Sequence, residues 1–535
     1  MVQQSTGNSQ APLIAALMNP AVFGPGCARV TLLETHISYV LLTGRHAYKI
    51  KKAVDLGFLD FTTLAKRRLY CEQELALNRR LAPDLYLDVV TFNGSAGQPC
   101  LGGAGPILDY AVRMREFPQD ALASRLLTAD AIGTADIDAL AAKVAAFHAS
   151  IAVAPAGGRF GEPEVILRIA LDNFAQIGRL ATSPAEQAEQ DALREWTLRA
   201  HADLEAALRA RKEHGFIREC HGDLHLGNIA RIEGELTVFD CIEFNDTMRW
   251  IDVMSEVAFT VMDLQDRGRP DFAHRFLNAY LEITGDYAGL SVLRLYLVYR
   301  AMVRAKVACM RAVQLAAGAG DAALREEYRG YVSLARANAR PPRPAIIVAH
   351  GLSGSGKTTL TQALLERIGA VRIRTDVERK RMRALEPRDR TADAVGSGLY
   401  APAATEAAYR RVAELAGAAA TAGHIAIVDA TFLKRWQRDL LRERASALGT
   451  AFLIVTFTAR DAVLRERVAL RAQEGRDASD ADIAVLEHQL REREPLAPDE
   501  QDCAIAWDAE APLDRARDPG AWRCVADRIG ARAAG

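Results

Sequence analysis

GLSGSGKT, Gly351 to Thr358, sits between the apolar run AIIVAH (345–350) and TTLTQALLERIG (358–369). The run before it reads as a short buried strand. The stretch after it carries Leu360, Leu364, Leu365 and Ile368 on one helical face and ends on Gly369, a natural helix terminator. Strand, glycine-rich turn and helix in that order satisfy the spacing GxxxxGK[ST] in its proper context. Gly351, Gly354 and Gly356 let backbone N–H groups turn inward on a phosphate, with Ser353, Ser355 and Thr359 completing the expected cradle. The start of the helix adds favourable partial charge. Lys357 is expected to reach the terminal phosphate oxygens, and Thr358 to offer its hydroxyl to Mg²⁺.

Working outward, strands at 371–374, 424–428 and 451–457 alternate with helical segments, which predicts an α/β fold with a parallel sheet. The strand HIAIV ends on Asp429, placed as a metal-side carboxylate. VRIR leads to Thr375-Asp376, where an aspartate can face an acceptor hydroxyl as base. Arg379 follows one helical turn on, as an acceptor-binding cation. Arg467 and Arg471 are four apart on one helix face and are read as lid arginines over the γ-phosphate. The run RKRMR (379–383) reads first as a solvated helix face. These features resemble the P-loop kinases that include polynucleotide kinase, gluconate kinase and zeta-toxin-like enzymes, within the AAA family of ATPases. The resemblance runs from about Ala345 to Pro495 and implies the roles just given for Lys357, Thr358, Asp376, Arg379, Asp429, Arg467 and Arg471. No NKxD guanine-reading motif accompanies the Walker A string, which argues against a GTPase.

A second phosphate-handling pattern lies upstream: HGDLHLGN, His221 to Asn228, followed by the strand LTVF and Asp240. Phosphoryl transfer needs a group that orients the acceptor hydroxyl and metals across the phosphates. Asp223 is placed as the base, Asn228 five residues on as one Mg²⁺ ligand, and Asp240 as the second, all hard oxygen donors. His221 is expected to brace the loop, and His225 and His148 to pack. The segment from about Glu34 to Leu334 resembles the aminoglycoside phosphotransferase and choline kinase family. That resemblance implies Lys49 of HAYKIKK on the nucleotide phosphates with Glu74 of CEQEL as its helix partner. Lys51 lies on the same strand face and Glu72 competes with Glu74, so both pairings stay open. MRWID (248–252) also matches the family, with Asp252 in a structural role. ETHIS stands where the family carries a glycine-rich loop.

Composition frames these sites. The chain has 535 residues, 50% hydrophobic and 25% charged, with net charge −1. That length predicts two or three domains. The charge supplies no global case for nucleic acid or membrane binding. Eight scattered cysteines form no CxxC pair, which argues against zinc and for a reducing cytoplasm. MVQQSTGNSQ lacks a basic leader. Ala11 to Phe23 is short and broken by Asn19 and Pro20, so it predicts an amphipathic helix, not a secretory leader or membrane span.

The expected plan is an N-terminal helical extension (1–30), a two-lobe protein-kinase-like α+β domain (31–336), a Pro/Arg linker (337–344) and a P-loop NTPase domain (345–535). The order resembles bacterial fusions of a phosphotransferase-like with an ATP-binding kinase-like domain. The expected function is a bifunctional kinase with two ATP/Mg²⁺ sites, acting on hydroxyls of small molecules. Two other readings compete: one ATP site as a regulatory sensor of the other domain, and the P-loop domain as a nucleic-acid end kinase prompted by RKRMR. The acceptor and the oligomeric state are not legible.

Overall fold

In HAYKIK, strict alternation sends Ala47, Lys49 and Lys51 to one face of a strand and His46, Tyr48 and Ile50 to the other. The computed structural model describes residues 10–57, 59–178, 183–314, 320–385, 389, 398, 401–474, 481–518 and 520–530. Residues 1–9 of the expected extension, residues 315–319 and part of 386–400 lie outside the described residues. By compactness the chain divides into Met1–Asp136 with Phe147–Gly161 and Lys212–Glu256, and Ile137–Ala146 with Glu162–Arg211 and Val257–Gly535. This division does not follow the proline-rich segment.

The first unit is built on six strands: β1 (Thr31–Glu34), β2 (Ser38–Leu42), β3 (His46–Lys51), β4 (Tyr86–Ser95), β5 (Gln98–Leu101) and β6 (Ile107–Arg115). They pair antiparallel in the order β1-β2-β3-β6-β4-β5. One face packs Tyr39, Leu41, Tyr48, Ile50 and Phe92 against Leu13, Ile14 and Leu17. The N-terminal segment, a helix over Ala11–Ala16 and a 3-10 turn over Pro20–Phe23, is therefore part of this core. The other face meets Cys71 of the helix Leu64–Asn78, together with Ala82, Leu85 and Tyr86. Two short strand pairs follow: β7 (Ile217–Glu219) with β10 (Trp250–Asp252), and β8 (Ile229–Ile232) with β9 (Glu235–Val238). At ETHIS the β1–β2 turn is closed by Thr35 Oγ1, which accepts from the Ser38 N–H at 2.9 Å, in place of glycines.

In the second unit β11 (Ala345–His350), β12 (Ala370–Arg374), β13 (Ile425–Asp429), β14 (Ala451–Thr458) and β15 (Ala504–Asp508) form a parallel sheet in the order β12-β13-β11-β14-β15. β11, β13 and the middle of β14 are near-continuous buried runs of Ile, Val, Leu and Ala, as a sheet covered on both faces requires. β15 lies beyond the stretch in which the sequence indicated strands. The helix Gly320–Ala339 runs three residues into the expected linker and stops before Pro341 and Pro342, which cannot continue it. RKRMR departs from a solvated face: Arg379 and Lys380 are buried, whereas Met382 and Arg383 are exposed.

The same unit contains the helix Pro270–Thr284, which packs on β12, and the helix Leu290–Gln314, which packs on the helix Pro402–Thr421. Asn278 closes the outer edge of β12: its Nδ2 donates to Ala370 O at 2.9 Å and its Oδ1 accepts from the Arg372 N–H at 2.7 Å. A side-chain amide thereby does what a further strand would do at an edge. His424, buried just before β13, lies 3.3 Å from Leu290 O. Burial, and then the Arg294 charge, depress its imidazole to about 3. The folded state keeps this ring neutral while an unfolded chain protonates it near 6.5, so stability falls as pH drops below that value. Lowering pH from 7 to 5 is expected to remove about 2 kcal/mol at this site. Urea unfolding at both pH values checks it, with His424→Asn expected to lose that share of the slope.

Candidate active sites

Lys49 and Lys51 point from β3 toward the helix Leu64–Asn78, where Arg67, Cys71, Glu74 and Asn78 form the buried face. Both lysines bind Glu74. Lys49 Nζ meets Glu74 Oε1 at 2.8 Å, and Lys51 Nζ meets Glu74 Oε2 at 2.7 Å. Glu72 is exposed and pairs with Arg68 at 2.8 Å. The two lysines separate by their second partner: Lys49 pairs with Asp240 and Lys51 with Glu243. Burial works against both ammonium charges, but these carboxylates outweigh it and hold both lysines above their ordinary range. Burial also pushes the Glu74 carboxyl up, and the two lysines together pull it below its ordinary range.

Asp240 follows β9 in the left-handed region, φ 65°, a conformation that aspartate tolerates better than most residues. Its N–H donates to Tyr86 Oη at 3.1 Å, and the next N–H, of Cys241, donates to Asn78 Oδ1 at 2.8 Å. The β8–β9 ladder extends by one rung, with Phe239 N–H donating to Asn228 O at 2.9 Å. Asn228 is therefore directly across from the residue before Asp240. Both Asn228 amide hydrogens go to Asp223, at 3.0 Å to its carbonyl and 2.9 Å to Oδ2. The amide oxygen is the atom left for a cation. His225 Nε2 lies 3.4 Å from the same Asp223 oxygen.

His221 braces this loop, as expected. Its Nε2 lies 2.9 Å from Phe239 O, and its Nδ1 accepts from the Asp223 N–H at 3.3 Å. A ring that donates at one nitrogen and accepts at the other is neutral, and burial lowers its proton affinity accordingly. Gly222 has φ 89°, and a Cβ there would stand 2.7 Å from Met248 O. Its N–H donates to Glu256 Oε1 at 2.6 Å, while His148 Nε2 meets Glu256 Oε2 at 2.9 Å. Asp252 accepts from the Met254 N–H at 2.8 Å, a structural contact at a helix start. Sequence reasoning missed Glu243 and Glu256. The i+3 step from Asp240 to Glu243 is the one available sign of the first; the second carries no local sign.

In the second unit the glycines of GLSGSGKT are required by close approach. A Cβ on Gly351 would stand 2.7 Å from Phe457 O, and one on Gly354 2.7 Å from Leu464 O. Ser355 Oγ is buried inside the loop without a partner, and the Ser353 N–H donates to Gln489 Oε1 at 2.9 Å. Lys357 Nζ folds back on Gly351 O and Leu352 O, both at 2.9 Å. Thr358 Oγ1 donates to Asp429 Oδ2 at 2.8 Å, so the helix start and the β13 end meet. These are the hard oxygens a Mg²⁺ ion accepts, and the loop fits a phosphate.

Asp376 lies in the first turn of the helix Thr375–Arg381, two residues past the rung that pairs Arg374 with Asp429. Arg379 is buried, with Nη1 donating to Thr405 Oγ1 at 3.1 Å. Arg467 donates to Ala509 O at 3.0 Å, and its Nη1 would stand 3.8 Å from a Cβ on Gly356, beside the loop. Arg471 donates to Ala481 O at 3.1 Å.

The phosphotransferase enzyme family matches residues 71–296, and the AAA domain family matches residues 346–496. Over 455 residues the chain is 30% identical to the uncharacterized protein Rv2004c of Mycobacterium tuberculosis, covering 85% of this chain and 89% of that one. The chain belongs to that protein's family. It joins a phosphotransferase-family module to a P-loop, AAA-type module, and two kinase-like modules indicate phosphotransfer. Among solved structures, a choline kinase from Cryptosporidium parvum aligns at 10% identity and TM-score 0.38, over 61% of this chain and 95% of its own. A sugar kinase from Janibacter aligns with 36% of this chain and 95% of its own, at 22% identity and TM-score 0.25. Among the described residues of this family member, no helix is long and apolar enough to cross a membrane.

Proposed function

We propose that the chain is a bifunctional, ATP- and Mg²⁺-dependent phosphotransferase of the cytoplasm, with one nucleotide site in each module and small-molecule hydroxyls as acceptors. The modules divide at the Pro/Arg segment 337–344. The observation that carries the reading is that each module assembles its own lysine beside its own pair of hard oxygen donors. In the first these are Lys49 with Asn228 and Asp240; in the second, Lys357 with Thr358 and Asp429.

In the first site Asp223 accepts the proton of the acceptor hydroxyl, and Asn228 holds its carboxylate oriented. Lys49, positioned by Glu74, binds the nucleotide phosphates, and Asn228 with Asp240 would hold Mg²⁺. In the second site the loop Gly351–Thr359 binds the phosphates, Thr358 and Asp429 would hold Mg²⁺, and Asp376 is the base. Arg379 binds the acceptor, with Arg467 and Arg471 covering the γ-phosphate. Bound Mg²⁺ supplies neutralisation of phosphate charge. Burial of Lys380 takes a cation from the basic face that an end kinase for nucleic acid would use.

The test is transfer or hydrolysis of γ-labelled ATP by the full chain in Mg²⁺. Lys357→Ala is expected to lower turnover at the P-loop site by ~10²–10³-fold, the scale for losing one preorganised phosphate contact. The share that depends on Asp223 should remain. Turnover unchanged by both Lys357→Ala and Asp223→Ala would overturn the reading.

A further inference from the structure

Glu282, near the end of the helix Pro270–Thr284, belongs to the stretch matched by the phosphotransferase family, yet its carboxylate works on the P-loop side of the chain. Its Oε1 accepts from Arg374 Nη1 at 2.8 Å, and its Oε2 lies 3.4 Å from Arg372 Nη2. Each arginine continues toward the pair Thr358–Asp429. Arg372 Nη1 donates to Thr358 O at 2.7 Å. Arg374 Nε stands 4.0 Å from Asp429 Oδ2, the same oxygen that accepts from Thr358 Oγ1. The contacts close a ring: Glu282, Arg374, Asp429, Thr358, Arg372 and back to Glu282. Burial pushes the Glu282 carboxyl up, and the two arginines outweigh it and keep it ionised.

We infer that Glu282 is a positioning residue for the P-loop site: it holds the Arg374 guanidinium off Asp429 and so keeps that carboxylate available to a divalent cation. The inference rests on the nucleotide site proposed above for the P-loop module. A guanidinium and a divalent cation compete for one carboxylate oxygen, and a unit charge about 4 Å away interacts strongly at a partly buried site. Glu282 supplies a counter-charge on the far side of Arg374. Without it, Arg374 closes on Asp429. A residue of the first module thereby sets cation affinity in the second.

The experiment uses the full-length chain, Mn²⁺ as the probe and a non-hydrolysable ATP analogue, with bound Mn²⁺ read by electron paramagnetic resonance. The occupancy lost in Thr358→Ala marks the P-loop site. Glu282→Gln is expected to raise the Mn²⁺ dissociation constant of that occupancy about tenfold, and adding Arg374→Gln to it is expected to restore the wild-type value. A purely structural Glu282 would not be rescued by a second loss. An unchanged dissociation constant in Glu282→Gln, or no recovery in the double variant, overturns the inference. If Glu282→Gln fails to fold by circular dichroism, Arg374→Gln alone decides: tighter Mn²⁺ binding supports the inference, and unchanged or weaker binding overturns it. If Thr358→Ala removes no occupancy, the nucleotide site itself falls, and this inference with it.

Discussion

Replacing Asp223 by Asn is expected to lower phosphoryl transfer at the first site by ~10²–10⁴-fold, the range for losing a positioned general base. The geometry makes this a clean substitution. Asp223 is partly exposed, and its backbone N–H and carbonyl, tied to His221 and Asn228, are untouched by the change. What goes is the acceptor for the hydroxyl proton. Turnover of γ-labelled ATP in the Lys357→Ala protein isolates this site and reads the effect. A loss under about tenfold would mean that Asp223 is not the proton acceptor.

Glu74→Ala is expected to be the most damaging single change to stability, at about 3–5 kcal/mol. Each oxygen of this carboxylate serves a different buried lysine, so its removal leaves two ammonium groups short of a partner in the interior. Asp240 and Glu243 retain one lysine each, which is why the loss does not double. Urea unfolding read by circular dichroism measures it. The same group sets an acid limit. Its folded pKa lies below the unfolded value of 4.5. Its contribution is therefore complete above that value and is lost as pH falls below it toward the folded pKa. A Glu74→Ala protein with wild-type stability would contradict the network.

What was legible in the sequence was what is local. GLSGSGKT carries its strand, turn and helix within one continuous stretch, and HGDLHLGN carries Asp223 and Asn228 within six residues of each other. Asp429 and Asp240 each end an apolar run. The pairing of Lys49 and Lys51 was not legible, because alternation puts both on one strand face. The structure shows that both bind Glu74, one on each oxygen. Glu74 could have been separated from Glu72 by helix phase. Arg67, Cys71, Glu74 and Asn78 fall at helical spacing on the buried side, but three of the four are polar, so no apolar stripe announces that face. Glu243, Glu256 and Glu282 act on groups far away in sequence or across a turn, and only the fold supplies those partners. RKRMR looked like solvent-facing charge because composition does not report that Lys380 is 2% exposed.

The proline-rich segment is the clearest seam in the sequence, yet contacts cross it. Asn278 pairs the edge of β12, and Glu282 grips two arginines of the same strand. The helices of the first module are thus structural neighbours of the P-loop sheet within one compact unit. This is a physical reason for the two modules to travel as one chain.

Calorimetric titration of the full-length chain with a non-hydrolysable ATP analogue and Mg²⁺ asks the central question directly. Two nucleotides bound per chain, falling to one in Lys357→Ala, is the expected result. A single binding event in the wild-type chain, or two that both persist in Lys357→Ala, would contradict it.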